Sequence, residues 1–359
     1  MEDLVNPWRG RRVFLTGHTG FKGGWLALWL ARLGAQVRGY ALDPATEPNL
    51  FTVADVASAV EDVRGDLLDR PRLETTVRDF APEVVFHLAA QPLVRRSYAD
   101  PLGTYATNVL GTAHVLEAVR TAPSVRAVVC VTTDKCYENQ ESGRPYRETD
   151  PLGGHDPYSS SKACAEIVSA AYRDSFFSGN RPGEHRVALA TARAGNVIGG
   201  GDWSEDRLVP DLIRGFEAGT PVRIRRPDAI RPWQHVLEPA RGYITLAERL
   251  LADDPRAAEA FNFGPNPDDA WPVSGIADYL TAAWGPGAAW TRDADPGVHE
   301  AGLLRLDSSK AHATLGWKPR LTIETALQWT MAWYQARAAG ENMLDFTRHQ
   351  IAEYEKLAS

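Results

Sequence analysis

The chain lacks the features that mark secreted, metal-binding and membrane-spanning proteins. Its 359 residues include only 3 cysteines, and the spacing of Cys130, Cys136 and Cys164 matches neither a metal site nor a disulfide framework. No apolar run approaches the roughly 20 residues that cross a bilayer. The first residues have neither the basic nor the apolar segment of a signal peptide. We therefore expect a cytoplasmic protein with reduced thiols and no bound metal ion.

An excess of basic charge is also missing. Lys and Arg number 39 against 46 Asp and Glu, and the net charge of −7 argues against nucleic acid or an anionic membrane as a partner. The hydrophobic fraction of 44% and the charged fraction of 24% are ordinary for a soluble enzyme. The length suffices for two lobes around a substantial core. A small anionic ligand remains compatible with local clusters of arginine.

Three glycines stand between a predicted strand and a predicted helix near the start of the chain. An apolar run at 13–15 precedes Gly17, Gly20 and Gly23, and apolar residues at helical spacing follow them. In this context Gly17 permits a tight turn, Gly20 lets the backbone approach a pyrophosphate, and Gly23 brings helix and strand close together. The pyrophosphate would lie at the positive end of the helix dipole. The pattern predicts a dinucleotide site, to which the same turn adds Thr19, Phe21 and Lys22.

Further apolar runs alternate with predicted helices along the first half of the chain. Together with these runs, the predicted strands lie at 36–42, 59–63, 84–88, 127–131 and 187–190, and this alternation is typical of a doubly wound parallel sheet. We predict an α/β fold of the Rossmann type with a smaller C-terminal α/β lobe that binds the substrate. The dinucleotide-binding domain is predicted to comprise 1–193 and about 236–268, and the lobe 194–235 and 269–359.

Residues at the ends of these strands are candidate cofactor contacts. Asp43 lies about 20 positions beyond the glycine turn, where a carboxylate holds the adenosine ribose 2′-hydroxyl, and this favours NAD over NADP. Arg38 keeps NADP open as an alternative. The small residues after the fourth strand would let the backbone approach the cofactor. Four strand-end residues are predicted to contact it: Asp66, Leu67, Ala89 and Ala90.

Tyr158 and Lys162 are four residues apart and share one face of a predicted helix. A tyrosine pKa is roughly 10 when unperturbed, but a neighbouring ammonium and a positive nicotinamide both favour the phenolate. Lowering the pKa by about three units requires roughly 4 kcal/mol. We therefore predict Tyr158 as a general base near neutral pH, with Lys162 as its cation and Thr133 at a strand end nearby.

These motifs together resemble the extended short-chain dehydrogenase/reductases, and within them the sugar-nucleotide 4,6-dehydratases. The resemblance spans nearly the whole chain and adds Asn108 to the predicted cofactor contacts. The matching positions are Gly17, Gly20 and Gly23, Asp66–Leu67, Ala89–Ala90, Asn108, Thr133, Tyr158 and Lys162, Arg193 and Asn196, and 315–319.

Within that branch the sequence is most similar to members that act on CDP-glucose. The stretches that carry this similarity are 17–23, 133–139, 154–166 and 231–236. The resemblance implies NAD-dependent conversion of a nucleotide sugar, CDP-glucose, to a 4-keto-6-deoxy sugar for deoxysugar biosynthesis. It also implies a homodimer or homotetramer, in which helices that begin near Asp100 and Tyr158 pair with their copies as a four-helix bundle. Tyr105, Val109, Ile167 and Ala171 would supply apolar surface to that bundle.

The resemblance also assigns roles at the reacting sugar. Tyr158 would take the proton of the C4 hydroxyl while Thr133 hydrogen-bonds the same oxygen, and Asp134 would protonate the leaving C6 hydroxyl. The dTDP-glucose dehydratases of the branch carry glutamate, the base for the C5 proton, where this chain has Lys135. Two roles stay open for Lys135: a neutral base with a lowered pKa, or a cation that stabilises the enolate while water or Tyr158 takes the C5 proton.

Substrate contacts follow from the same resemblance. Arg231 is the first choice for the substrate pyrophosphate, because a guanidinium binds it through two hydrogen bonds. Trp203, Trp233 and Ile224 would pack near the nucleobase or the sugar. The remaining predicted substrate contacts are Asn196, Arg207, Arg223, His299 and Glu300.

Other functions compete with this one. A C4 epimerase, or a dehydratase for another nucleotide sugar, would use the same Thr133, Tyr158 and Lys162, but epimerases usually lack an acid–base pair where Asp134 and Lys135 stand. A dinucleotide-sensing regulatory protein would bind NAD(P) without catalysis, and such proteins typically lose the tyrosine–lysine pair.

Overall fold

The computed structural model describes residues 6–140, 143–178, 186–293 and 303–357. Its strands within these ranges are β1 (Arg12–Thr16), β2 (Gln36–Ala41), β3 (Glu61–Arg64), β4 (Val84–His87), β5 (Ala127–Val131), β6 (Ala188–Ala194), β7 (Val197–Ile198), β8 (Val222–Ile224), β9 (Gln234–His235), β10 (Ala260–Phe263) and β11 (Trp290–Arg292). Seven of them form one sheet in the order β10-β6-β5-β4-β1-β2-β3, and all neighbours in it are parallel.

Helices cover both faces of this sheet. They are α1 (Phe21–Arg32), α2 (Leu50–Val53), α3 (Arg70–Phe80), α4 (Val94–Ala99), α5 (Pro101–Tyr105), α6 (Gly111–Arg120), α7 (Pro157–Phe176), α8 (Leu208–Glu217), α9 (Leu237–Leu251), α10 (Val273–Trp284), α11 (Ser309–Leu315), α12 (Ile323–Ala338) and α13 (Met343–Lys356). A larger apolar cluster packs α1, α9 and α12 on one face, and a smaller one packs α3 and α6 on the other. The predicted Rossmann-type doubly wound fold is confirmed.

The order of the sheet explains where a ligand binds. β1 lies between β2 and β4, so the chain runs outward in opposite directions on either side of it. A crevice opens at such a switch point, outside the carboxyl ends of the strands. The glycine turn follows β1 and the predicted catalytic residues follow β5, so both lie at this edge.

Strand β10 is a seventh strand that the apolar runs did not predict. The chain returns to the sheet after α9 and pairs Ala260–Phe263 with β6. Within these four residues the buried side chain of Asn262 separates Phe261 from Phe263, so no continuous apolar run marks the strand. The polar residue is satisfied because its Nδ2 donates to the Tyr146 carbonyl at 2.9 Å.

The helix predicted to begin near Asp100 is not continuous. Asp100 caps α5 by accepting a hydrogen bond from the Gly103 amide at 2.9 Å, and residues 106–110 then form a π-helical segment before α6 begins at Gly111. An inserted π segment is common near functional sites. It lies where Asn108 turns inward, and Asn108 is 1% exposed.

Smaller elements follow β6 along the chain. β8 pairs with β11 and β7 pairs with β9, while α10 packs against α8 and α12. The predicted domain boundaries stay a prediction. Among the described helices, none combines the length and apolarity needed to cross a bilayer.

Candidate active site

A cavity of about 1700 Å³ lies along the carboxyl ends of the central strands. It brings together most of the residues predicted from the sequence. Those that line it are Gly17, Thr19, Gly20, Phe21, Lys22, Gly23, Asp43, Asp66, Leu67, Ala89, Ala90, Thr133, Asp134, Lys135, Tyr158, Lys162, Asn196, Arg207, Arg223 and Arg231. His299 and Glu300 lie outside the described residues.

The glycine turn is shaped for a close approach of backbone to a ligand. Gly17 has a φ of +80°, and a Cβ there would lie 2.7 Å from the Ala89 nitrogen. A Cβ on Gly23 would lie 2.0 Å from the Gly17 carbonyl oxygen. At Gly20 the nearest atom is that same oxygen at 3.4 Å, so packing within the protein does not require glycine there. No side chain of the described residues caps α1, which leaves its first amides available to a pyrophosphate.

Asp43 stands at the end of the cavity where an adenosine ribose would lie. Its side chain is 90% exposed and its Oδ1 lies 3.3 Å from Arg64 Nη1, while Thr19 Oγ1 ties the glycine turn to β2 by donating to the Leu42 carbonyl at 3.0 Å. Arg38 pairs instead with Glu61, with 2.7 Å between Nη2 and Oε1, and is not a cavity residue. The arrangement fits NAD better than NADP.

Asn108 supports the cavity without lining it. Its Oδ1 accepts a hydrogen bond from the Gln91 amide at 2.8 Å, and its Nδ2 donates to the Gln91 carbonyl at 3.1 Å and to Ser161 Oγ at 2.9 Å. The side chain thereby joins the loop after β4 to helix α7. The structure places it behind the loop rather than at the surface predicted to contact the cofactor.

Residues 132–137, which we call the catalytic turn, carry three of the predicted catalytic side chains. β5 ends at Val131, and Thr133 is extended before a short 3₁₀ helix over Asp134–Cys136. Thr133 Oγ1 donates to Asp134 Oδ1 at 3.0 Å and accepts a hydrogen bond from the Lys135 amide at 3.4 Å. The turn therefore presents a hydroxyl, a carboxyl and an amine to the cavity in consecutive positions.

Helix α7 presents Tyr158 and Lys162 to the same cavity. Asp156 fixes the start of the helix, since its carboxylate accepts from the Ser159 amide at 2.9 Å and from Ser159 Oγ at 2.6 Å. Lys162 Nζ donates to the Val131 carbonyl at 3.3 Å, which places the ammonium at the end of β5. Burial lowers the pKa of Lys162 to about 8.

The pKa of Tyr158 corrects a sequence-based expectation. In the protein alone burial raises this pKa to about 12, although a hydrogen bond with Thr133 and the charge of Arg207 act in the opposite direction. The loss of hydration of a buried phenolate outweighs the charge of Arg207. A phenolate near neutral pH therefore also needs the positive nicotinamide that the sequence argument invoked.

Asp134 is held in a state suited to proton donation. Its side chain is buried, and Oδ2 has no hydrogen-bond partner among the described residues. Burial raises its pKa against the opposing effects of Lys135, Thr133, Arg231 and Lys22. A carboxyl group whose pKa is raised by burial is a candidate general acid.

Lys22 is a titrating group that the sequence predicted only as a cofactor contact. The pKa of Lys22 is lowered to about 7, mainly by burial and also by the charges of Arg207 and Lys162, while Asp134 and Asp202 oppose them. The sequence around Lys22 did not predict this lowered pKa, because the neighbouring charges come from distant parts of the chain.

Arginines surround the far end of the cavity. Arg231 is 8% exposed and donates from Nη1 to the Ile230 carbonyl at 3.1 Å, whereas Arg223 is exposed. Arg207 Nη1 lies 3.9 Å from Asp202 Oδ2. Two further arginines, Arg95 and Arg225, flank Asp206 at 3.4 and 3.5 Å and were not predicted. No motif in the sequence marks them.

The three apolar residues predicted near the nucleotide separate into two groups. Trp233 and Ile224 line the cavity. Trp203 does not, because its ring packs against Trp333 with 5.7 Å between ring centroids. Because Trp203 is 4% exposed and packs against another aromatic ring, it belongs to the hydrophobic core.

Comparison with known proteins agrees with this geometry. The chain is 50% identical over 97% of its length to CDP-glucose 4,6-dehydratase of Salmonella typhimurium, and covers 97% of that protein. An epimerase structure from Methanothermobacter thermautotrophicus superposes with a TM-score of 0.80 at 22% identity, covering 93% of this chain and 95% of the other. A dTDP-glucose 4,6-dehydratase structure from Bacillus anthracis gives 0.75 at 21%, covering 93% and 100%.

The sequence profile of one family, described as the NAD dependent epimerase/dehydratase family, matches residues 13–264. These residues include the glycine turn, the catalytic turn and the start of α7. The cofactor is accordingly NAD, in agreement with the fit of the glycine turn and of Asp43. The chain belongs to the NAD dependent epimerase/dehydratase family.

Proposed function

We propose that this protein converts CDP-glucose to CDP-4-keto-6-deoxyglucose as an NAD-dependent 4,6-dehydratase. The observation that carries the proposal is Asp134, a buried carboxyl group with an unbonded oxygen at the cavity that also holds Thr133 and Tyr158. A C4 epimerase has no need of an acid for a leaving hydroxyl. Identity of 50% to a CDP-glucose 4,6-dehydratase supports the choice of nucleotide.

The glycine turn, Asp43 and Lys162 would hold the cofactor. Bound NAD supplies the acceptor for the C4 hydride and later the donor that reduces C6. The work of the protein is to orient the sugar, exclude water and move protons at defined atoms.

The first proton transfer is assigned to Tyr158. Its phenolic oxygen takes the proton of the C4 hydroxyl, and Thr133, its hydrogen-bond partner in the cavity, binds the same sugar oxygen. Lys162, which lies one helical turn further along α7, is proposed to stabilise the phenolate through its charge. The resulting 4-ketone acidifies the proton at C5.

Elimination of water is assigned to the catalytic turn. Asp134 gives its proton to the C6 hydroxyl, which leaves as water when the C5 proton is removed. Lys135 either takes the C5 proton as a neutral amine, or stabilises the enolate as a cation while water or Tyr158 takes that proton. Exchange of the C5 proton with solvent deuterium in Lys135→Met separates the two roles: a base is required for exchange, whereas loss of a stabilising cation leaves slow exchange with an unchanged pH dependence.

The arginines of the cavity are proposed to bind the substrate diphosphate. Arg231 is the first candidate, with Arg207 and Arg223 beside it, because a guanidinium binds phosphate oxygens in pairs. Asn196 is proposed to bind the sugar or its phosphate. His299 and Glu300 remain predictions from the sequence as contacts of the nucleotide ribose.

A homodimer or homotetramer is proposed from the exposed apolar side chains. Leu102, Leu110 and Ile167 are 81%, 50% and 57% exposed, and they lie on the stretch from α5 to α6 and on α7. The Tyr105 hydroxyl joins the two regions through Ser160 Oγ at 2.7 Å. Because α5 packs against α7 and exposed apolar side chains on neighbouring helices favour association, we propose that a second copy of this chain covers them as a four-helix bundle.

The test of the proposed function is a panel of nucleotide sugars. Purified protein with NAD is incubated with CDP-, dTDP-, UDP- and GDP-glucose, and 4-keto products are quantified. We expect CDP-glucose to give the highest kcat/KM and Tyr158→Phe to give no product while still binding NAD. An epimerised CDP-hexose, or a preference for another nucleotide, would replace the proposal; no reaction with any sugar would favour a regulatory protein.

A further inference from the structure

A buried ion pair lies directly behind the catalytic residues. Glu166 and Arg193 are each 3% exposed, with 2.8 Å between Glu166 Oε2 and Arg193 Nη2. Neither residue lines the cavity. Burying two charges costs free energy that their mutual attraction does not reliably repay, so a pair at this depth calls for an explanation other than stability.

The pair binds both ends of the catalytic turn. At the leading end, Thr132 Oγ1 donates a short hydrogen bond to Glu166 Oε1. At the trailing end, Arg193 Nη1 donates to the Tyr137 hydroxyl at 2.8 Å, and the guanidinium lies 5.0 Å from the centre of the Tyr137 ring. Thr133, Asp134 and Lys135 stand between these two anchored residues.

The same pair is fixed to the helix that carries Tyr158 and Lys162. Glu166 follows these residues at intervals of four along α7, so all three share one face of the helix. Arg193 lies on β6, and Thr191 of that strand donates to Glu166 Oε2 at 2.7 Å. The hydroxyl of Tyr137 continues the chain of hydrogen bonds to Asn262 of β10 at 2.7 Å.

We propose that Glu166, through its ion pair with Arg193, is the positioning residue that fixes the catalytic turn against helix α7. It sets the distance between the proton acceptor on the helix and the three reacting side chains on the turn. Glu166 does not line the cavity; it holds the turn through Thr132 directly and through Arg193 at Tyr137. Its charge also raises the pKa of Lys162 against the effect of burial. The catalytic part of this inference rests on the proposed function, because that function requires the turn and the helix to act on one sugar.

Two matched substitutions separate positioning from general support. Thr132→Val and Thr191→Val remove the same kind of hydrogen bond to the same carboxylate, from side chains that are 5% and 1% exposed. Both leave the ion pair intact, but only Thr132 belongs to the catalytic turn. We expect Thr132→Val to lower kcat by about 10-fold or more with little change in KM, since a displacement of about 1 Å can cost on the order of 10²-fold. Thr191→Val should lower kcat much less.

A second readout requires no turnover. Hydrogen–deuterium exchange of the peptide that contains residues 133–137 should rise clearly in Thr132→Val and little in Thr191→Val, at similar melting temperatures. If the unmodified protein acts on no nucleotide sugar, only the proposed function fails. The exchange comparison would still test whether Glu166 and Arg193 position the catalytic turn. Equal effects of the two variants on exchange would overturn the inference.

Tyr137→Phe keeps the test decisive if Thr132→Val does not fold. This variant removes the hydroxyl that accepts from Arg193 and releases only the trailing end of the turn. Faster exchange in 133–137 together with a lower kcat is expected. Unchanged exchange in that peptide would contradict the inference.

Discussion

Asp134 combines burial, an unbonded oxygen and neighbouring cations at one position. Because burial raises its pKa while Thr133 and Lys135 lower it, the carboxyl group can hold a proton and release it when the C6 hydroxyl leaves. Asp134→Asn preserves volume and polarity but removes the transferable proton. We expect formation of the 4-ketone to continue and loss of water to slow by roughly 10²–10⁴-fold.

The measurement is the near-ultraviolet absorbance of reduced cofactor after CDP-glucose is added. In Asp134→Asn this absorbance should rise and persist, whereas in the unmodified protein it should stay low during turnover. Normal product formation by the variant would remove Asp134 from the mechanism. An absorbance that never rises would place its role before the elimination.

Lys162 makes the first step dependent on pH. Burial lowers its pKa to about 8 from the ordinary value of 10.5, so the ammonium is present below pH 8 and is lost as the pH rises through that value. Without it the Tyr158 phenolate costs more to form, and the rate of C4 oxidation should fall above pH 8. Lys162→Arg keeps a positive charge and should move the decline to higher pH. A decline at the same pH in the variant would assign it to another group.

At the scale of the element, the glycine turn contains glycine at positions 20 and 23 for two different reasons. Gly23 is required by packing, because a Cβ would lie 2.0 Å from the Gly17 oxygen. Gly20 has a φ of −84°, which alanine adopts readily, and no closer neighbour than 3.4 Å. Packing and backbone conformation do not require glycine there, whereas a ligand that approaches the backbone would.

Gly20→Ala and Gly23→Ala should therefore fail in different ways. Gly23→Ala should lower the melting temperature, as overpacking typically costs about 1–3 kcal/mol. Gly20→Ala should melt near the unmodified protein but bind NAD at least about 10-fold more weakly, which corresponds to about 1.4 kcal/mol. Thermal melting and calorimetric titration check both statements. Unchanged NAD affinity in Gly20→Ala would mean that the pyrophosphate lies elsewhere.

The sequence predicted those elements whose residues form continuous local patterns. The six strands from β1 to β6 followed from local sequence patterns, and the glycine turn followed from its spacing between a predicted strand and a predicted helix. β10 escaped because Asn262 interrupts it, and its polar group is satisfied by distant residues. The break at 106–110 escaped for a related reason: Asn108 turns inward to bind Gln91 and Ser161.

Within the site, residue types were easier to predict than their electrostatics. The spacing of Tyr158 and Lys162 placed both at the cavity, yet the raised pKa of Tyr158 depends on burial by distant parts of the chain. Glu166 stands at the next helical interval after Lys162, so that spacing gave a signal for it. Nothing local marked Arg95, Arg225 or the packing of Trp203 against Trp333.

At the scale of the whole molecule, the exposed apolar side chains of α5 to α7 predict self-association. Leu102→Glu combined with Ile167→Glu should convert the protein to a monomer at micromolar concentration, because two carboxylates would be buried in each copy of the interface. Leu68→Glu is the matched control, since Leu68 is also an exposed leucine but lies in the loop between β3 and α3. Sedimentation velocity measures all three forms. A monomeric unmodified protein would contradict the bundle.

The central claim is that hydrogen removed from C4 returns to C6 of the same sugar. Reaction of CDP-glucose that carries deuterium at C4, followed by mass spectrometry and NMR of the product, tests it directly. We expect a 4-keto-6-deoxy product with the deuterium in its C6 methyl group. Deuterium restored to C4 of an epimerised sugar, or lost to solvent, would contradict it.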